Sequence, residues 1–240
     1  MPFRGEGMGA RWGLFALLGL LLIAGIARAE APPRLDAAAL ANPGRMESAS
    51  PDPAAKWRAV HARIEQDRIR VERCLEGSPC RDLFARPMAE LVRRWSGLSG
   101  RKRLAAVNRH FNSFPYVPDR DAAGAGDQWL SPLLFLQRSG DCEDYAIAKY
   151  LALRLLGVPE TAMAVLVLRD RSTGRDHAVL VVREEGRTVV LDNLRELARL
   201  EDYAAYRSLL TLTAEVGGPA DGRSRVAGGS VPSAGTREGP

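Results

Sequence analysis

The sequence predicts an α+β domain in which helices come first and an antiparallel sheet follows. Three observations carry this. Segments between residues 54 and 111 set apolar side chains at helical spacing. A further helical segment starts at Cys142 and stops at a glycine. Beyond it, three short runs rich in Val and Leu are separated by turn-forming residues.

The first 29 residues read as an address rather than as part of the fold. Arg4 and Arg11 precede or open an apolar run, Trp12 to Ile26, and Ala27-Arg28-Ala29 stands before Glu30. That is the pattern of a secretory signal peptide cut after Ala29, and the apolar run is short for a membrane span. It predicts a protein that works outside the cytosol. Residues 30–54 are rich in Ala and Pro, and residues 217–240 in Gly, Ser, Pro and Arg. Neither stretch buries enough apolar surface to offset the entropy of ordering, so both are expected to be flexible. The folded unit is then residues 55–216, a size suited to one domain.

Ala54 to Leu75 reads as a long amphipathic helix with apolar points at Trp57, Val60, Ile64, Ile69, Val71 and Leu75. Leu83 to Trp95 reads as a second, its regular part beginning at Pro87, since proline suits a first helical turn. Arg101 to Phe111 is a third. Residues 112–127 hold prolines, glycines and small polar residues and read as a loop. From Cys142 to Leu156, Ala148, Leu151, Ala152 and Leu155 share one face, with Gly157 as the stop and Pro159 beyond. The strands are expected at Ala162–Arg169, His177–Arg183 and Arg187–Leu191.

The net charge is +5, of which the signal region carries +2, leaving +3 for the remainder. Basic residues are scattered, and no run of them is interleaved with aromatics, which argues against nucleic-acid binding. The three cysteines are Cys74, Cys80 and Cys142. An exported protein can hold disulfides, and Cys74 and Cys80 flank a turn-like Leu-Glu-Gly-Ser-Pro, so those two are expected to pair. That leaves Cys142 as the odd thiol.

Cys142 stands at a helix start, where partial positive charge and unpaired N–H groups favour a thiolate and could hold an oxyanion. Of the three histidines, His61 and His110 lie on helices and read as surface or structural groups. His177 opens a strand after a polar loop and is the candidate base. Asp192 ends the next strand, and an antiparallel hairpin sets the end of one strand opposite the start of the other. There the carboxylate can orient the imidazole. Asp141, Glu143 and Asp144 suit a helix N-terminus, but carboxylates beside a nucleophile oppose its ionisation. A bound hard cation such as Ca²⁺ would relieve that. Trp129, just ahead of Ser131-Pro132, reads as a packing anchor for the loop before Cys142.

Trp129-x-Ser131-Pro132, the block from Gly140 to Tyr150, Gly157, His177-Ala178-Val179-Leu180 and Leu191-Asp192-Asn193-Leu194 together resemble the bacterial transglutaminase-like cysteine proteinases, which include the LapG-type periplasmic proteases. The resemblance spans about residues 55–210. It implies a papain/transglutaminase-like fold and a catalytic Cys142, His177 and Asp192. It also implies Ca²⁺ dependence, with Asp141 and Glu143 as metal ligands, and a periplasmic location. The implied substrate is a large surface adhesin, cut near its N-terminus to control biofilm attachment. The implied partner is an inner-membrane cyclic di-GMP receptor of LapD type. Two other functions fit the same residues: acyl transfer of the transglutaminase or amidase kind, and a non-catalytic calcium- or peptide-binding module.

Overall fold

The computed structural model describes Leu35 and residues 53–77, 79–119 and 128–214. The expected signal peptide, most of the 30–54 segment and the 217–240 tail lie outside the described residues. Among those described, no helix is long and apolar enough to cross a membrane.

Helix α1 spans Pro53–Glu76. Its buried stripe is Trp57, Val60, Ile64, Asp67, Val71 and Cys74. The irregular spacing in the sequence resolves here: Ile69 is exposed, and the apolar slot belongs to Asp67. Asp67 is buried because its Oδ2 accepts the Leu133 N–H at 2.9 Å, capping a short helix that the sequence reading did not anticipate. Near the end of α1, Cys74 and Cys80 form the expected disulfide.

Helix α2 spans Arg86–Trp95, so its regular part begins one residue before the expected Pro87, and Leu83 to Ala85 lie outside it. The preceding turn is held by Asp82, whose Oδ1 accepts from the Phe84 and Ala85 N–H groups. Helix α3 covers Gly100–Phe111, and the unanticipated α4 covers Pro132–Arg138. Helix α5, Cys142–Leu155, is buried continuously from Asp144 to Leu153, enclosed by α1, α3, α4 and the sheet. Gly157, with φ of +86°, ends it in the left-handed conformation that glycine adopts without strain.

The sheet has five antiparallel strands rather than the three expected. They are β1 (Met163–Asp170), β2 (Asp176–Glu184), β3 (Arg187–Leu191), β4 (Ala198–Arg199) and β5 (Tyr206–Leu212), in the order β4-β3-β2-β1-β5. Residues of one face, among them Val165, Leu180, Val182 and Leu191, join the helical core. The alternate residues Leu166, Leu168, Val179, Val181 and Val190 form a second cluster with Tyr203. Strand β5 lies on β1, and just past it the Thr213 carbonyl accepts the indole N–H of Trp57 at 2.9 Å.

Candidate active site

The candidate site lies where the first turn of α5 meets the start of the central strand β2. Backbone geometry sets the nucleophile turn. Ser139 has φ of 60° and ψ of −171°, a region rare for any residue but glycine. Gly140 follows, and a side chain there would overlap the Asp144 carboxylate. Asp144 is buried in the third position of the helix. Its Oδ1 accepts the Leu130 N–H at 2.7 Å, and its Oδ2 accepts the Asp141 N–H at 3.3 Å. Burial pushes the Asp144 carboxyl up to about 7, against the Leu130 hydrogen bond and with Asp141 adding to the rise. Asp144 thus acts as the back half of a capping box and ties the Trp129 loop to the helix start. Trp129 is buried, in keeping with an anchor, and its carbonyl accepts from Arg63.

Cys142 is the free cysteine among the described residues. Its thiol donates to Glu143 Oε2 at 3.2 Å. Burial first, then the charge and hydrogen bonding of Glu143, push the thiol well above its ordinary pKa, with Asp141 adding to the effect. The Ala178 N–H donates to the sulfur and pulls the other way. That contact seats the thiol against β2, one residue from His177.

His177 Nε2 lies 2.9 Å from Asp192 Oδ1. The hairpin register Leu180↔Leu191 carries β2 and β3 toward this end, and the chain beyond Leu191 turns under the histidine. Asp192 is fully buried and heavily bonded. The Leu194 N–H donates to Oδ1 at 2.9 Å and the Tyr203 hydroxyl to Oδ2 at 2.6 Å. Burial opposes its charge, but hydrogen bonding and attraction from His177, with help from Tyr203 and Leu194, hold the carboxyl down at about 2. Cys142 and His177 line one cavity of about 470 Å³ together with Tyr116, Asn193, Leu194, Tyr206 and residues of the β1–β2 turn. That volume suits a ligand of modest size or a few residues of an extended chain.

The other two histidines are more enclosed than a surface role requires. His61 packs its ring near Trp57 and Tyr150 and pairs with Glu160 at 3.4 Å. His110 meets the rings of Trp95, Phe111 and Phe114 edge to face, and burial lowers its pKa.

Asp119, Asp141 and Glu143 offer carboxylate oxygens that lie within 4.8 Å of one another. Two of the three are the residues expected to hold calcium. Asp119 was missed, because it sits in a loop with no periodic pattern. Tyr203, Asn108, Asn112 and Lys149 also escaped the sequence reading as site residues. The first three carry no local motif. Lys149 did leave a signal, as one lysine inside an otherwise apolar stretch of α5.

Helices packed on an antiparallel sheet, with a cysteine at a helix start beside a strand histidine, define the class of transglutaminase-like thiol enzymes. The chain belongs to the bacterial transglutaminase-like cysteine proteinases, whose family model matches residues 92–215. It is therefore a cysteine peptidase by family. Among solved structures, calcium-bound LapG of Legionella pneumophila shares the fold at a TM-score of 0.50 and 24% identity, covering 63% of this chain and 84% of that one. The EGTA-treated form of the same protein gives 0.49 and 23%, covering 63% and 82%. No curated protein matches the chain.

Proposed function

We propose that this chain is a calcium-dependent cysteine endopeptidase of the periplasm, with Cys142 as nucleophile, His177 as base and Asp192 as the acid that orients it. The observation that carries this is the 2.9 Å contact of His177 Nε2 with the buried Asp192, at the edge of the cavity that Cys142 also lines. With Nε2 engaged by Asp192, Nδ1 is the nitrogen that takes the thiol proton. Cys142 Sγ then attacks a peptide carbonyl, and the first N–H groups of α5 face the developing oxyanion. His177 returns the proton to the leaving amine. Water, deprotonated by the same imidazole, hydrolyses the thioester.

Asp119, Asp141 and Glu143 fit a hard cation, being three oxygen donors in reach of one another. Glu143 and Asp141 both hold the thiol protonated. Calcium bound to them would offset that repulsion and so favour the thiolate. The calcium-bound LapG structure supports the choice of metal. The family resemblance supports a large surface adhesin as substrate and a LapD-type cyclic di-GMP receptor as regulator.

The test is alkylation of Cys142 by iodoacetamide near neutral pH, followed by peptide mapping. Rapid labelling in calcium that slows sharply in chelator, and in His177→Ala, is expected. Slow labelling under every condition would overturn the proposal in favour of a non-catalytic module.

A further inference from the structure

We infer that Lys149 is a positioning residue for the acid of the site: through Asn108 it holds the loop that starts at Asp192. The inference rests on the role proposed above for Asp192.

Lys149 lies two turns beyond Cys142 on α5 and is fully buried. Among the described residues no carboxylate lies within ion-pair distance of it. Its ammonium donates to Asn108 Oδ1 at 2.8 Å and faces the Tyr145 ring at 5.7 Å. An ammonium has donors only, so it dictates which end of the Asn108 amide turns toward it. Oδ1 faces Lys149, which leaves Nδ2 to donate to the Arg195 carbonyl at 3.0 Å. One turn along α3, Asn112 Nδ2 donates to the Asp192 carbonyl at 2.8 Å and the Arg195 carbonyl at 3.1 Å. Two asparagines four residues apart therefore clip both ends of the Asp192–Arg195 turn.

A lysine in this position is otherwise hard to explain. Burying an ammonium is costly, and methionine would fill the same space without that penalty. Burial lowers the amine to about 7, while Asp192 pulls it upward. The groups that face it are the Asn108 amide on α3, the Tyr145 ring on its own helix and Asp192 at the end of β3. Strand β2 contributes the uncharged Leu180 and Val182 to the same core. Lys149 thus orients the amide that grips the loop and lends positive charge to the carboxylate the loop carries.

The test uses the full chain in calcium-containing buffer, with two readouts: Cys142 alkylation by iodoacetamide, and the downfield proton signal of the His177 N–H shared with Asp192, identified by its loss in His177→Ala. Lys149→Met should slow alkylation by roughly tenfold, the scale on which misplaced groups lose rate, and should shift or broaden the signal. Lys149→Gln keeps an N–H donor for Oδ1 and should recover much of both. If Lys149→Met does not fold, Asn108→Ala carries the same expectation from the other side of the contact. The inference is overturned if whichever of these folds leaves both readouts at wild type while Asp192→Asn slows alkylation. If Asp192→Asn also leaves alkylation unchanged, the role of Asp192 falls and the inference falls with it.

Discussion

Nε2 of His177 lies 2.9 Å from Oδ1 of Asp192, and in the proposed mechanism this leaves Nδ1 as the ring nitrogen that accepts the thiol proton. Asp192→Asn would place an amide N–H against Nε2 and favour the tautomer whose Nδ1 carries the proton. That form cannot accept from Cys142. Turnover on any cleaved peptide should fall on the order of 10³-fold or more, by analogy with a mis-set histidine tautomer in a serine protease triad. Substrate affinity should change little. Single-turnover kinetics with an unchanged KM would check this.

Asp192 also gives stability a pH dependence. Its carboxyl is held at about 2 in the fold, below the ordinary value near 4. Its contribution is therefore complete above about pH 4 and is lost as pH falls through about 2, amounting to about 2 kcal/mol. Urea denaturation across that range should show a steeper acid loss for wild type than for Asp192→Asn.

Glu143 accepts the thiol hydrogen bond and helps to hold Cys142 protonated. In chelator, Glu143→Gln should label faster with iodoacetamide than wild type does. In calcium its acceleration should shrink, because one ligand is gone. Wild-type behaviour in both buffers would remove Glu143 from the metal proposal.

Ser139 occupies a backbone region that glycine enters freely. Ser139→Gly should release strain and raise stability by about 1 kcal/mol, since such conformations cost roughly 1–3 kcal/mol. Thermal unfolding would show it as a higher Tm.

The Cys74–Cys80 disulfide closes a short loop between α1 and α2. Replacing both cysteines with serine should cost about 2 kcal/mol, the entropy regained by an open loop of that size in the unfolded chain. Equal denaturation midpoints for the two proteins would contradict this.

Helix α5 and strands β1 to β3 were legible because their apolar spacing and stop signals are local. Cys142, His177 and Asp192 were legible for the same reason, each standing at an element edge. Helix α4 was not, since seven residues give too little periodicity and its cap is Asp67, 66 positions away. Strand β5 is half-buried along nearly its whole length, with no alternation to read. Asp119, Tyr203 and the two asparagines join the site only through tertiary contact.

The indole of Trp57 reaches a carbonyl 156 positions later in the chain. The first helix is thus synthesised long before the residue it holds, and β1 lacks its outer neighbour until β5 has also emerged. Assembly must finish late, and contacts between such distant parts of a chain form slowly. A chain stopped short of Tyr206 would keep Cys142, His177 and Asp192, yet carry an undocked indole and an open β1 edge prone to pairing with other chains.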